Sequence, residues 1–316
     1  MADKKIIAVV GATGAQGGGL VRAILNDPNG GFAARALTRK TSSDKARALA
    51  HAGAEVVEAD LDSVESLTKA FTGAHGVFAL TNFWEHFSGD KELEQAKNLA
   101  EAAKRASVKH VIWSTLEDSR KFIPLDDPRM PTLQGHYKVA HFDAKGEADA
   151  EFARRGVPTT YLLTSFYWEN FIHFGAGPAK GPDGVLALTM PMGDRPLPGI
   201  AVEDIGKSAY AIFKAGDTYI GKYVGIAGEH LTVAQMAAGF TKALGQPVRY
   251  NEVSPEVYRS FPFPGADDLG NMFQFNRDFS EAFCRARDVS VARALNPEMQ
   301  TFEQWLAKHA AEVPLG

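Results

Sequence analysis

Cysteine is almost missing from this chain. Its one cysteine, Cys284, excludes an intramolecular disulfide framework and a cysteine-rich zinc site. Long hydrophobic runs are missing too: none approaches the ~18 residues of a membrane span. The start, Met1-Ala2-Asp3-Lys4-Lys5, leads into five apolar residues, Ile6 to Val10, too short a run for a secretory signal. Positive charge is not in excess. Thirty-four lysines and arginines face 38 aspartates and glutamates, a formal net charge of −4, which excludes a broadly basic nucleic-acid-binding face as the default. Low-complexity tracts, repeats and a Gly-x-Ser-x-Gly nucleophile elbow are also lacking. What is present is an ordinary globular composition, 45% hydrophobic and 23% charged over 316 residues, enough for about two domains. The expectation is a cytoplasmic protein with no membrane and no nucleic-acid partner.

The first 115 residues alternate short β-branched runs with longer amphipathic stretches. Ile6 to Val10 has no polar alternation and reads as a strand buried on both faces. The pattern predicts helices over 17–26, 42–52, 63–71 and 91–106, and strands over 32–38, 54–59, 76–80 and 108–114. Ser63, and Ser43 or Asp44, are the N-cap candidates, and Gly53 closes the second helix. Strict alternation implies right-handed βαβ crossovers, hence an α/β fold with a doubly wound parallel sheet. From Leu116 to Tyr137 the pattern loosens around Pro124, Pro128 and Pro131. Such a long loop is usually a lid or a recognition segment, and its lack of periodicity predicts low local stability. A helix over 139–155 and a strand over 157–164 follow. The stretch 171–198, with five prolines and five glycines, reads as loops and short β-pieces. Then come a helix over 204–215, a strand over 222–227, a helix to Leu244, a strand over 248–253 and helices to the end. This predicts a first domain over 1–165, rejoined by strands from about 199–228. A smaller C-terminal α+β domain, from 166–198 and 229–316, caps the carboxyl edge of the sheet.

The strongest chemical signal is Gly11-Ala12-Thr13-Gly14-Ala15-Gln16-Gly17, between the first buried strand and the first helix. Small residues let the backbone turn tightly and approach a pyrophosphate, and the helix N-terminus offers N–H groups and partial positive charge. Strand, turn, helix and position in the chain agree on a Rossmann-type dinucleotide site. The second strand ends in Thr38-Arg39-Lys40, with no carboxylate to hold a ribose 2′-hydroxyl. A guanidinium there suits the 2′-phosphate of NADP(H). Asp60-Leu61 after the third strand and Thr81-Asn82-Phe83 after the fourth are further candidates for adenine, ribose and nicotinamide contacts. Tyr167-Trp168-Glu169-Asn170, after the sixth strand, are placed to wall the nicotinamide pocket.

Short-chain reductases pass a proton through Tyr-x-x-x-Lys, the lysine lowering the tyrosine pKa and holding the ribose. The match Tyr210-x-x-x-Lys214 comes two elements too late and reads as an ordinary helix face. The helix that should carry the pair has Lys145 in the lysine's place and His141, not tyrosine, four residues before it. Ser114, at the end of the fifth strand, stands where the reductase hydroxyl would be. Lys145, His141 and Ser114 are therefore the catalytic candidates. His136, His141 and Asp143 fit no standard metal spacing, so no metal is expected.

Taken together, Gly11 to Gly17, Thr38-Arg39, Thr81 to Glu85, His141 to Glu147, Glu169-Asn170, Phe263 to Ala266 and Gln304-Trp305-Leu306 resemble the NmrA-like proteins. These are atypical short-chain dehydrogenase relatives, and within them the match is nearest the HSCARG-type NADPH sensors. The resemblance implies NADP(H) contacts at Gly11, Ala12, Thr13, Gly14, Ala15, Gln16, Arg39, Asp60, Leu61, Thr81, Asn82, Phe83, Lys145, Tyr167, Trp168, Glu169 and Asn170; the residue reading adds Gly17 of the turn and Lys40 beside Arg39. It implies a sensor of the NADPH/NADP ratio that passes its state to a protein partner; a monomer or homodimer is expected. Two departures stand out: Glu94 replaces a lysine of the HSCARG type, and the loop 116–137 is longer. Isoflavone-reductase relatives share the fold and do reduce substrates. The alternative is therefore an NADPH-dependent reductase of small carbonyl, quinone or enone compounds.

Overall fold

The computed structural model describes residues 4–316; Met1, Ala2 and Asp3 of the N-terminal segment read above lie outside the described residues. In chain order the elements begin β1 (Lys5–Val9), α1 (Ala15–Leu25), β2 (Phe32–Thr38), α2 (Asp44–His51), β3 (Glu55–Glu58), α3 (Val64–Phe71) and β4 (Gly76–Ala79). They continue with α4 (Gly89–Arg105), β5 (His110–Thr115), α5 (Ala140–Arg154), β6 (Thr159–Leu163), β7 (Phe166–Tyr167), α6 (Asn170–His173), β8 (Ala179–Lys180), β9 (Leu186–Met190), β10 (Leu197–Ile200), α7 (Val202–Lys214) and β11 (Tyr223–Gly225). The remainder is β12 (Glu229–Leu231), α8 (Val233–Leu244), β13 (Val248–Glu252), α9 (Pro255–Arg259), α10 (Ala266–Asp278), α11 (Ser280–Arg285), α12 (Val289–Leu295) and α13 (Phe302–His309).

Among the described residues the largest sheet has seven strands in the order β11–β6–β5–β4–β1–β2–β3. β1 pairs in parallel with both β2 and β4, and β2–β3, β4–β5 and β5–β6 are parallel as well. This is the expected Rossmann-type, doubly wound α/β sheet. Its strand order reverses between β1 and β4, and the crevice beyond the carboxyl ends of those strands is where such sheets take ligands.

The sheet is buried on both faces, as the unbroken apolar run of β1 requires: Ile7, Ala8 and Val9 have no exposed surface. On one face Leu67 and Phe71 of α3, Leu93, Ala96, Leu99 and Ala103 of α4, and Phe152 of α5 join a single core with Ala8, Val77 and Trp113. On the other, α1 and α7 meet at glycines. A Cβ on Gly206 would fall 2.1 Å from the Gly19 carbonyl carbon, so no larger residue fits without separating the helices. Serines cap α2, α3 and α4: Ser43, Ser63 and Ser88 each accept from a first-turn backbone N–H.

The chain divides into two compact units. The first holds the residues up to Asp118 with His141–Leu163 and Glu203–Val224; the second holds Ser119–Ala140, Thr164–Val202 and Gly225–Gly316. Within the second unit, three-stranded sheets β12–β10–β7 and β13–β9–β8 are joined by helices. Its aromatic core includes Trp168, Phe171, Phe240, Phe302 and Trp305.

The expected loop 116–137 has no α-helix or strand longer than a single bridge, yet the segment 119–140 is packed. Ile123, Met130, Tyr137 and Val139 are buried in it. Lys138 turns its ammonium inward to the carbonyls of Asp127 and Met130, at 2.9 and 2.6 Å. Asn271 of α10 donates to the carbonyls of Pro131 and Lys138, and Gln274 donates to that of Arg129. Side chains thus satisfy the backbone groups that no helix or strand pairs here, and periodicity cannot register that kind of order.

Candidate functional site

The glycine-rich turn lies at the carboxyl end of β1. Gly11 adopts φ +62°, the left-handed conformation that favours glycine, and its carbonyl accepts from the Gly14 N–H at 2.9 Å. Gly17 is held for a different reason. A Cβ there would stand 2.5 Å from the Gly11 oxygen, so the helix can start this close to the turn only without a side chain. Gly14 is the N-cap of α1 and offers no side-chain cap, unlike the serines of α2 to α4, and no acidic residue occupies the first turn. Gly14 and Ala15 are exposed. The first-turn N–H groups of an α-helix have no intrahelical partner, so an anion can approach them here. Ala12 is buried, while Ser114 of β5 donates to Gln16 Oε1 at 2.8 Å and fixes that side chain over the sheet. Ser114 is thus engaged with the turn and is itself buried.

The stretch after β4 is the hub of the first unit. Thr81 donates to Glu92 Oε1 at 2.6 Å and accepts from Lys145 Nζ at 2.8 Å. Lys145 Nζ also lies 2.8 Å from Glu92 Oε1, 3.2 Å from the Thr81 carbonyl and 5.2 Å from the centre of the Trp113 ring. Glu92 is completely buried. Burial alone would raise its pKa, but the charge of Lys145 beside it, helped by His86 and Thr81, outweighs burial and brings it down to about 2. Its Oε2 has no hydrogen-bond partner among the described residues; His86 Nε2 approaches it only to 3.5 Å.

Next to that pair, Phe83 is buried and its ring meets His141 at 5.6 Å, while Trp84 meets the same imidazole at 5.1 Å. His141 therefore serves an aromatic cluster at the start of α5. Phe87 closes this stretch at φ +54°, an uncommon conformation for an aromatic residue. Asn82 donates to Glu85 Oε1 at 3.0 Å, and Glu85 pairs with Arg39 across the end of β2. Lys40 is exposed beside it. The β3 turn is fixed by Ser66, which accepts from the Asp60 N–H at 3.1 Å, and by Asn98, which donates to the Leu61 carbonyl at 2.9 Å. Glu94 is exposed and pairs with Lys91, which also reaches Asp62 at 3.0 Å.

The first unit thus brings together Thr81, Phe83, His141 and Lys145, and joins Gln16 to Ser114. The residues 167–170 belong to the second unit and are engaged there. Trp168 is buried so closely against Gly199 that a Cβ there would meet its Nε1 at 2.3 Å. Glu169 accepts from Trp305 Nε1 at 2.9 Å and from the Val202 N–H at 3.0 Å, and burial raises its pKa. Tyr167 reaches the Thr164 hydroxyl at 3.4 Å, and Asn170 opens α6. Tyr210 and Lys214 form a helix-face pair as read: the phenol donates to Asp27 at 3.0 Å and burial beside that carboxylate lifts its pKa to about 12. Burial likewise pushes the Cys284 thiol up, which leaves it a poor nucleophile.

The sequence reading missed Glu92, and gave Glu85 no role beyond its place in the motif Thr81 to Glu85. Glu92 was within reach, because it shares a stripe with Ala96, Leu99 and Ala103 on α4. A carboxylate on an apolar stripe implies a buried cationic partner.

The NmrA-like family model matches residues 3–306. Among curated proteins, the NmrA-like family domain-containing oxidoreductase FrzB of Cladobotryum sp is 30% identical over 292 residues, covering 86% of this chain and 84% of the relative. Among solved structures, NmrA, a negative transcriptional regulator, is similar in complex with NADP (25% identity, TM-score 0.77, 97% and 95% of the two chains). It is similar in complex with NAD as well (25% identity, TM-score 0.78, the same coverage). No helix among the described residues is long and apolar enough to cross a membrane.

Proposed function

Because this chain belongs to the NmrA-like family, we propose that it binds a nicotinamide dinucleotide, NADP(H) foremost, and acts as a sensor or regulator of cofactor state without a dedicated reaction. The open, uncapped start of α1 at the β1–β4 switch point suits a pyrophosphate, and Arg39 suits a 2′-phosphate. Thr81, Asn82, Phe83 and Lys145 are the candidates for the ribose and nicotinamide half. Asp60 and Leu61, on the fixed β3 turn, are those for adenine. When bound, NADPH would supply a hydride donor.

The observation that carries the sensor reading is the Glu92–Lys145 pair. A lysine promotes proton transfer by lending uncompensated charge to a neighbouring hydroxyl. Here the charge of Lys145 is matched by a buried carboxylate, and the residue four positions earlier is His141, packed among Phe83 and Trp84. The second reading, reduction of small carbonyl, quinone or enone compounds, is supported by the description of FrzB as an oxidoreductase. Calorimetric titration with NADPH tests binding. Incubation with NADPH and a panel of quinones and enones, followed by absorbance, separates the two readings. Oxidation at the no-protein rate supports the sensor; steady oxidation well above it supports the reductase.

A further inference from the structure

Dinucleotide sites of this fold choose between cofactors at the adenosine ribose. A carboxylate accepts from the 2′-hydroxyl of NAD, whereas an arginine pairs with the 2′-phosphate of NADP. In this chain both groups stand side by side. Arg39 follows β2, and Glu85 arrives from the 3-10 turn Phe83–Glu85 after β4. Arg39 Nη1 lies 2.8 Å from Glu85 Oε2 and Nη2 lies 3.0 Å from Oε1. This two-pronged contact occupies both terminal nitrogens, the edge of a guanidinium that grips a phosphate. Glu85 is in turn held by Asn82, whose side chain donates to Oε1 at 3.0 Å and whose carbonyl accepts from the Glu85 N–H at 3.2 Å. Arg39 is 69% exposed, so an anion can reach it, but only by displacing a carboxylate that is anchored from behind.

We propose that Glu85 is a specificity-determining residue that competes with the 2′-phosphate for Arg39 and so reduces the preference for NADP(H) over NAD(H). This rests on the proposed dinucleotide site of the first unit. Binding NADP(H) must break the Arg39–Glu85 pair and bring a phosphate next to the released carboxylate. Binding NAD(H) requires neither, and leaves Glu85 able to accept from a 2′-hydroxyl. The result is a site that takes both cofactors, with its selectivity set by the balance of one anchored acid and one base.

Calorimetric titration with NADPH and with NADH, on wild type, Glu85→Gln, Arg39→Ala and the double variant, tests this. Glutamine retains the carbonyl oxygen that accepts from Asn82 while removing the charge. Glu85→Gln should raise the NADPH-over-NADH affinity ratio by roughly threefold to tenfold, the range of an exposed ion pair plus charge repulsion. The gain should shrink at high salt, because both groups are exposed. In the Arg39→Ala background the Glu85→Gln change should do little for NADPH beyond removing repulsion, the non-additivity of two groups in contact. An unchanged ratio in Glu85→Gln, with both cofactors still bound by wild type, overturns the role of Glu85 and leaves the dinucleotide site standing. If wild type binds neither cofactor, the site itself is wrong and the proposal falls with it.

Discussion

Glu92 Oε1 and Lys145 Nζ lie 2.8 Å apart at the carboxyl end of β4, the carboxylate wholly buried and the lysine side chain 11% exposed. An ion pair this secluded is weak evidence for stability compared with an apolar pair, but losing one partner is costly because the other keeps its charge.

Glu92→Gln should therefore destabilise the protein at neutral pH by roughly 3–5 kcal/mol. The sign of the pH dependence follows from the depressed pKa. Glu92 titrates near 2 when folded against an ordinary 4.5, so its contribution is fully present above about 4.5 and is lost as pH falls toward about 2. The shift corresponds to roughly 3 kcal/mol. Urea unfolding of wild type and Glu92→Gln should show a gap that is wide at pH 7 and narrows in acid. A gap independent of pH would mean that the carboxylate is not held ionised by Lys145.

Two of the three glycines of the turn, Gly14 and Gly17, should separate folding from binding. Gly17→Ala forces a Cβ to within 2.5 Å of the Gly11 oxygen and should lower stability by roughly 1–3 kcal/mol. At Gly14 a Cβ stands 3.2 Å from the same oxygen, a contact that a small shift relieves. Gly14→Val should keep a native circular dichroism spectrum and thermal midpoint near wild type while abolishing dinucleotide binding. Loss of the fold in Gly14→Val would assign this residue to packing.

Asn271 is the test of the stitched segment. Fully buried, it donates to the Pro131 and Lys138 carbonyls and accepts from Arg259. Asn271→Ala strands buried acceptors, at roughly 1–3 kcal/mol each. Hydrogen exchange over 130–140 should be slow in wild type and markedly faster in the variant. Fast exchange in wild type would restore the picture of a mobile loop.

What the sequence disclosed was local. The turn Gly11 to Gly17 betrays itself because strand, glycines and helix are contiguous, and the serine caps because a cap and its helix are neighbours in the chain. The doubly wound sheet follows from alternation. The pairs Arg39–Glu85 and Lys145–Glu92 were hidden because each joins elements far apart in sequence, and which acid meets which base is decided by the packing of α4, α5 and the stretch after β4. The order of 119–140 was hidden for the same reason: α10, which satisfies its carbonyls, comes much later in the chain.

Sensing demands that NADPH bind two conformations of the protein with different affinity, since equal affinity shifts nothing. On the proposed reading, the stretch 82–88 of the first unit is where two states would differ. It holds the 3-10 turn Phe83–Glu85 and Phe87 at φ +54°, and its Glu85 would have to release Arg39 before a 2′-phosphate could bind. NADPH should therefore change hydrogen exchange across 82–88 more than NADH does, with 130–140 unaffected because it is already ordered by α10. A regulator must also transmit the change, so sedimentation should show a cofactor-dependent shift between monomer and dimer, or a partner bound in one state only. A reductase also permits local ordering, so exchange alone does not separate the readings; a change of assembly without turnover does. Equal exchange with both cofactors, identical mass with and without NADPH, and steady oxidation of a quinone would together move the protein to the enzymes.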